Sequence, residues 1–151
     1  MAINFNKYAE EGNLFVKKLA KSLDHPEEIG RTGIVLRAVL HTLRERITTS
    51  ESLNMIAQLP MFIKAVYVDN WKYRAKPVRL NKQEFIEEVE RHQKQYGEYE
   101  FSWDKSTEDI VKIVLRELGT YITRGEFEDI IAQLPADVEE LFRESMQHPQ
   151  H

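Results

Sequence analysis

Cysteine is missing from all 151 residues, which excludes disulfides, thiolate metal sites and a cysteine nucleophile. No run approaches the ~18 consecutive apolar residues that a membrane-spanning helix requires. The opening stretch, MAINFNKYAEEGN, has no basic segment followed by an apolar one, so a soluble chain kept in the cytoplasm is the expectation. Six glycines and five prolines leave little to interrupt regular structure. No Gly-rich phosphate loop, no G-x-S-x-G elbow and no pair of catalytic carboxylates can be found.

Histidine is also sparse. His25, His41, His92, His148 and His151 are scattered, and none pairs with another at the i, i+4 spacing of an H-E-x-x-H zinc helix. Glu84, Glu87, Glu88 and His92 share a short stretch, but the matching segment upstream carries Lys17 and Lys18, so the stretch reads as a solvated charged face. His41, beside Arg37 and Arg44 at the edge of an apolar stripe, reads as a satisfied boundary histidine and not as a base. No catalytic, cofactor-binding or metal-ligating residue is assigned, and the reading favours a protein that is not an enzyme.

What the chain does contain is itself, twice. The segment IAQLP stands at Ile56 to Pro60 and again at Ile131 to Pro135. Aligned on it, Leu36 to Trp71 and Val111 to Met146 agree at 11 of 36 positions. The pattern reads as a tandem duplication, with one unit at about residues 5–77 and another at about 78–148. Phe15 and Leu19 answer Phe85 and Val89 at a spacing of 70, so the second unit carries about five extra residues, placed in a loop between Gly97 and Lys105.

Each unit predicts four helices, and the whole reads as a single all-α domain, a helical bundle built from two four-helix repeats. Val35, Leu36, Val39, Leu40, Leu43 and Ile47 form one helical stripe, matched by Ile110, Val111, Val114, Leu115, Leu118 and Ile122. Ile63, Val66, Tyr67 and Trp71 form a second, matched by Val138, Leu141, Phe142 and Met146. Thr48-x-x-Glu51 and Thr123-x-x-Glu126 have the form of capping boxes that start the third helix of each unit. The prolines end those helices, because the residue before proline is pushed out of the α region. Leu59 and Leu134 then plug the core at the corner, and the adjacent Gln amides are expected to hold carbonyls freed at the helix end.

These residues also resemble a known family. Leu36 to Ile47, Ala57-Gln-Leu-Pro60, Tyr67 to Trp71 with Pro77 and Arg79, and Glu84-Phe85 before the second Ala-Gln-Leu-Pro are similar to the bacterial family called domain of unknown function 2267. The resemblance implies an all-helical bacterial domain and brings no catalytic or binding residue with it.

Charge is divided unevenly. Residues 1–82 hold 14 Lys and Arg against 8 Asp and Glu, whereas residues 83–151 hold 7 against 17. Cations gather between the units at Lys64, Lys72, Arg74, Lys76, Arg79 and Lys82, with Trp71 and Tyr73 interleaved, a composition suited to gripping phosphates and stacking bases. Two functional readings follow. The favoured one is an interaction or scaffolding module that binds a protein partner or a second copy through its oppositely charged halves. The other is a nucleic-acid or polyanion binder using the six cations with Trp71 and Tyr73. The alternative to a phosphate grip is that Trp71 packs inward while the basic connector lies over the acidic second unit.

Overall fold

A computed structural model describes residues 2–97 and 103–147. Residues 98–102, within the stretch expected to hold the extra loop, and the histidines His148 and His151 lie outside the described residues. Among those described there are eight helices and no strand: α1 (Phe5–Ser22), α2 (Ile29–Arg44), α3 (Thr49–Ile56), α4 (Met61–Val68), α5 (Lys82–Gln95), α6 (Thr107–Gly119), α7 (Arg124–Ile131) and α8 (Ala136–Ser145). No helix among them is long and apolar enough to cross a membrane.

Local chemistry sets the boundaries. Asn4, Thr48, Ser106 and Thr123 each turn a side-chain oxygen onto a free amide of the following first turn. Asn81 and Glu84 close a full capping box at α5. Pro60 and Pro135 stand at the N-cap of α4 and α8. Asn70, at φ 55°, turns the chain out of α4 in the left-handed region that asparagine tolerates best among non-glycine residues. Trp71 therefore falls beyond the helix to which the apolar stripe assigns it.

The bundle is organised on α2, which packs against α1, α4, α5 and α6. It has no polar face along its second half: every residue from Ala38 to Arg44 is buried. One contiguous core draws Phe15, Leu19, Val35, Val39 and Leu40 from the first half and Phe85, Val89, Val111, Val114 and Phe142 from the second. Both predicted stripes point into it, with Ile122, Val66, Trp71 and Met146 at its margins. Leu59 and Leu134 are buried at the two corners as expected.

The glutamines do something other than the sequence suggests. The carbonyl oxygen of the Gln133 side chain accepts the backbone N–H of Thr48 at 2.8 Å, and that of Gln58 accepts the N–H of Thr123 at 2.8 Å. Each amide nitrogen also faces the hydroxyl of the same threonine at 3.4 Å. Instead of holding carbonyls of its own helix, each glutamine caps the opposite half's helix. Since α3 and α7 pack together, the start of each meets the end of the other. The T-x-x-E boxes are thereby half-built. Thr48 and Thr123 still accept from the N–H of Glu51 and Glu126, but the amide to which each glutamate would return is already taken.

Replacing Thr48 or Thr123 by Ala is expected to cost ~0.5–2 kcal/mol through the lost cap. Gln58→Ala or Gln133→Ala is expected to cost ~0.5–1.5 kcal/mol through the lost cross-link. Urea unfolding measures both. The double variant Thr48→Ala/Gln133→Ala should cost less than the sum of its singles, and strict additivity would show that the two side chains do not act as one unit.

Candidate functional site

The basic connector runs from the end of α4 to the start of α5, and its cations are used unequally. Arg74 lies 3.7 Å from Glu45, Arg79 donates to the carbonyl of Gln133 at 3.5 Å, and the ammonium of Lys82 sits 2.9 Å from Glu108. Glu108 raises the Lys82 pKa in return. Two of the six cations thus bind groups of the second half, and a third is held within the first. Lys64, Lys72 and Lys76 form no ion pair among the described residues, with Lys72 and Lys76 exposed and Lys64 half-buried. Trp71 is half-buried against the core, edge-on to Tyr67 at 5.6 Å, while Tyr73 is 80% exposed. Lys72, Tyr73 and Lys76 are the exposed members with no hydrogen bond or ion pair among the described residues. Trp71 is held by packing.

A buried relay lies beside the connector, between α2, α4 and α5. His41 is 1% exposed, deeper than a boundary position, and burial lowers its pKa to about 4, which keeps the ring neutral. Its Nε2–H donates to the Val66 carbonyl at 2.7 Å, an oxygen that can only accept. Nδ1 must then be the acceptor, so the Tyr96 hydroxyl, 2.6 Å away, donates to it. The oxygen of Tyr96 is left to accept from Nδ1–H of His92 at 3.1 Å. Hence one backbone carbonyl on α4 fixes the tautomers of two histidines on α2 and α5. His92 is buried as well, which corrects its reading as part of a solvated face, and burial is the largest cause of its lowered pKa. Its neighbours Glu88 and Glu45 approach it, but Arg91 holds Glu88 while Arg46 and Arg74 hold Glu45. Guanidinium groups are the resident cations there.

A paired carboxylate site, which no local spacing reveals, forms where α3 meets α7. Glu51 and Glu126, both buried, come within 4.8 Å of each other together with the exposed Asp129. One oxygen of each glutamate, Oε2, has no hydrogen-bond partner, and Gln133 approaches the remaining oxygen of Glu51 at 3.4 Å. Burial first, then the hydrogen bond to Glu51 and the charges of Glu51 and Asp129, raises Glu126 to about 8. Burial beside a second carboxylate favours the protonated form of Glu126, since like charges this close repel.

Sequence reasoning also missed the outer surface of α4. Met61, Phe62, Ala65 and Val68 recur at helical spacing and are exposed, Met61, Phe62 and Val68 each at 41%. The signal was available: α4 reads MFIKAVYV, with Lys64 its one charged residue, whereas a surface helix has a polar face. The corresponding positions of α8, 75 residues on, are Ala136, Asp137, Glu140 and Arg143. Asp137 accepts the Lys82 N–H at 2.8 Å, while Phe62 instead covers Gly12, where an added Cβ would lie 3.1 Å from the phenylalanine.

The family model described as "Uncharacterized conserved protein (DUF2267)" matches residues 12–141, and the chain belongs to this family. No curated protein matches it.

Two outcomes are expected. With three unpaired cations in the segment, the slope of log K against log salt for duplex DNA should be no steeper than about −3, and Trp71→Ala should lower stability by ~2 kcal/mol. Salt titrations and thermal melts measure these, and a steep slope with an unchanged melting temperature would place Trp71 in a binding face. For the carboxyl pair, the folded state holds a proton that the unfolded chain releases above about 4.5, so stability falls as pH rises toward 8. His41 acts in the opposite direction between about 4 and 6.5, because there the unfolded chain binds the extra proton. The fall should therefore appear cleanly from about 6.5 to 8 in urea melts and flatten in Glu126→Gln.

Proposed function

We propose that this DUF2267 member is a protein-interaction module, not an enzyme, and that it seats a second copy of itself on the outer face of α4. One observation carries the reading: Met61, Phe62, Ala65 and Val68 present an apolar stripe where the corresponding helix of the other half is polar. Exposed apolar residues are ordinary when scattered, but a contiguous stripe on one helix marks a contact surface. A second copy suits it because the α1 and α4 layer carries both signs of charge, Glu10 and Glu11 on α1 and Lys64 on α4. A twofold contact requires such a self-complementary border.

Location in the cytoplasm and bacterial origin belong to the same reading, as does descent of the halves from one duplicated four-helix unit. The polyanion reading keeps one supporting observation, the joint exposure of Lys72, Tyr73 and Lys76. It ranks second because three of its six cations are already engaged.

Sedimentation at increasing protein concentration should show a dimer that persists at about 1 M salt, where the Debye length is ~3 Å. Met61→Glu/Val68→Glu should return it to monomer with the melting temperature nearly unchanged. A dimer that salt dissolves would favour pairing of the oppositely charged halves. A monomer at every concentration would end the proposal.

A further inference from the structure

The two halves differ most at the place where α2 and α6 end. In the first half, the Arg44 guanidinium fills the space, donating to the carbonyls of Tyr67 at 2.7 Å, Asp69 at 2.7 Å and Asn70 at 3.2 Å. Trp71 closes it from the side, and the cavity left beside Arg44, Ile47 and Trp71 measures about 10 Å³. Seventy-five residues on, glycine stands for arginine, methionine for tryptophan, and phenylalanine for serine: Gly119, Met146 and Phe127 replace Arg44, Trp71 and Ser52. The result is an open cavity of about 390 Å³, within the size range of small-molecule sites.

Ile122, Phe127 and Met146 form its apolar walls, and Gly119 its back. The same four residues border a narrow apolar slot that continues inward to Leu43, Met55 and Leu118, so the cavity opens from the surface toward the core shared by both halves. Its rim carries Arg124, Arg143 and Glu128. Arg143 is spent: it holds both oxygens of Glu128, at 3.0 and 2.9 Å, and Glu139 at 3.0 Å. Arg124 makes no hydrogen bond or ion pair among the described residues, although it lies near enough to Glu128 to favour that carboxylate's charge. With Arg143 answered by Glu128 and Glu139, Arg124 is the rim cation left to meet an anion.

We propose that this pocket binds a small amphipathic anion, a free monocarboxylate with an unbranched apolar tail. The tail lies between Ile122, Phe127 and Met146, and the carboxylate meets Arg124 at the rim. The chemistry follows from the lining: the depth offers nothing to a polar group, and the unpaired guanidinium presents a fork that suits a carboxylate. This site is separate from the α4 face and does not depend on it.

Calorimetric or NMR titration of the full chain with decanoate, decanol and decylammonium, each below its aggregation concentration, tests the proposal. Decanoate should bind at sub-millimolar concentration, about tenfold tighter than decanol, a margin fitting one charge-assisted hydrogen bond. Arg124→Gln should bring decanoate down to the level of decanol. Gly119→Ala is the decisive variant, because the new Cβ would lie 2.7 Å from Met146 Cε and drive that side chain into the cavity. Alanine also favours helix over glycine, so the variant should bind none of the three while melting no lower than the native chain. Absence of binding by any probe would overturn the proposal. So would decylammonium binding as tightly as decanoate, or undiminished binding by Gly119→Ala.

Discussion

Two glutamine side chains crossing in opposite directions hold the ends of the two shortest paired helices. A helix start leaves amides unpaired, and an eight-residue helix has too few internal bonds to ignore them. In α3 and α7 the remedy comes from the other half, Gln133 serving Thr48 and Gln58 serving Thr123. This choice commits much of what surrounds it. Because the glutamines occupy the threonine amides, Glu51 and Glu126 cannot fold back and are driven into the seam, where burial raises the Glu126 pKa. Because Gln58 and Gln133 sit one residue before Leu59 and Leu134, the same crossing fixes the corner that sends α4 and α8 across the core.

Local rules reached most of the fold. Helical periodicity located the apolar stripes of α2, α4, α6 and α8, and proline and threonine located the ends of α3 and α7, because each of these signals acts within a few residues of itself. The glutamines could not be read this way, since their partners lie 85 and 65 residues away. The capping-box pattern was present and its threonines perform as expected, yet a competing acceptor displaced its second half. Likewise, His41 was recognisable as satisfied but not as the middle of a relay from Val66 to His92, which requires α4 and α5 to flank α2. The basic connector shows the limit of composition. Six cations in a run look alike, and only packing distinguishes Lys82, paired to Glu108, from Lys72, which faces solvent.

The comparison between halves separates scaffold from content. Where they agree, each residue has an architectural role: Val39, Leu40, Leu43 and Ile47 are core, Ile56 packs against it, Thr48 and Gln58 form the crossing caps, Glu51 is in the seam, and Ala57, Leu59 and Pro60 build the corner. The family match over residues 12–141 covers this whole shared frame.

Specific behaviour must then arise where the halves disagree, and the disagreements fall into two kinds. Outward ones alter a surface without disturbing the core, as when Phe62 covers Gly12 while Asp137 caps Lys82 at the corresponding place. Inward ones change volume, as when Gly119 withdraws the side chain that Arg44 supplies and leaves a pocket. A cavity in a packed protein ordinarily costs stability, roughly in proportion to the contacts its walls lose. The first half demonstrates that this frame can fill the same position with an arginine and a tryptophan. An opening maintained at one end of a frame that closes the other is therefore a property of these residues and not a geometric necessity of the fold.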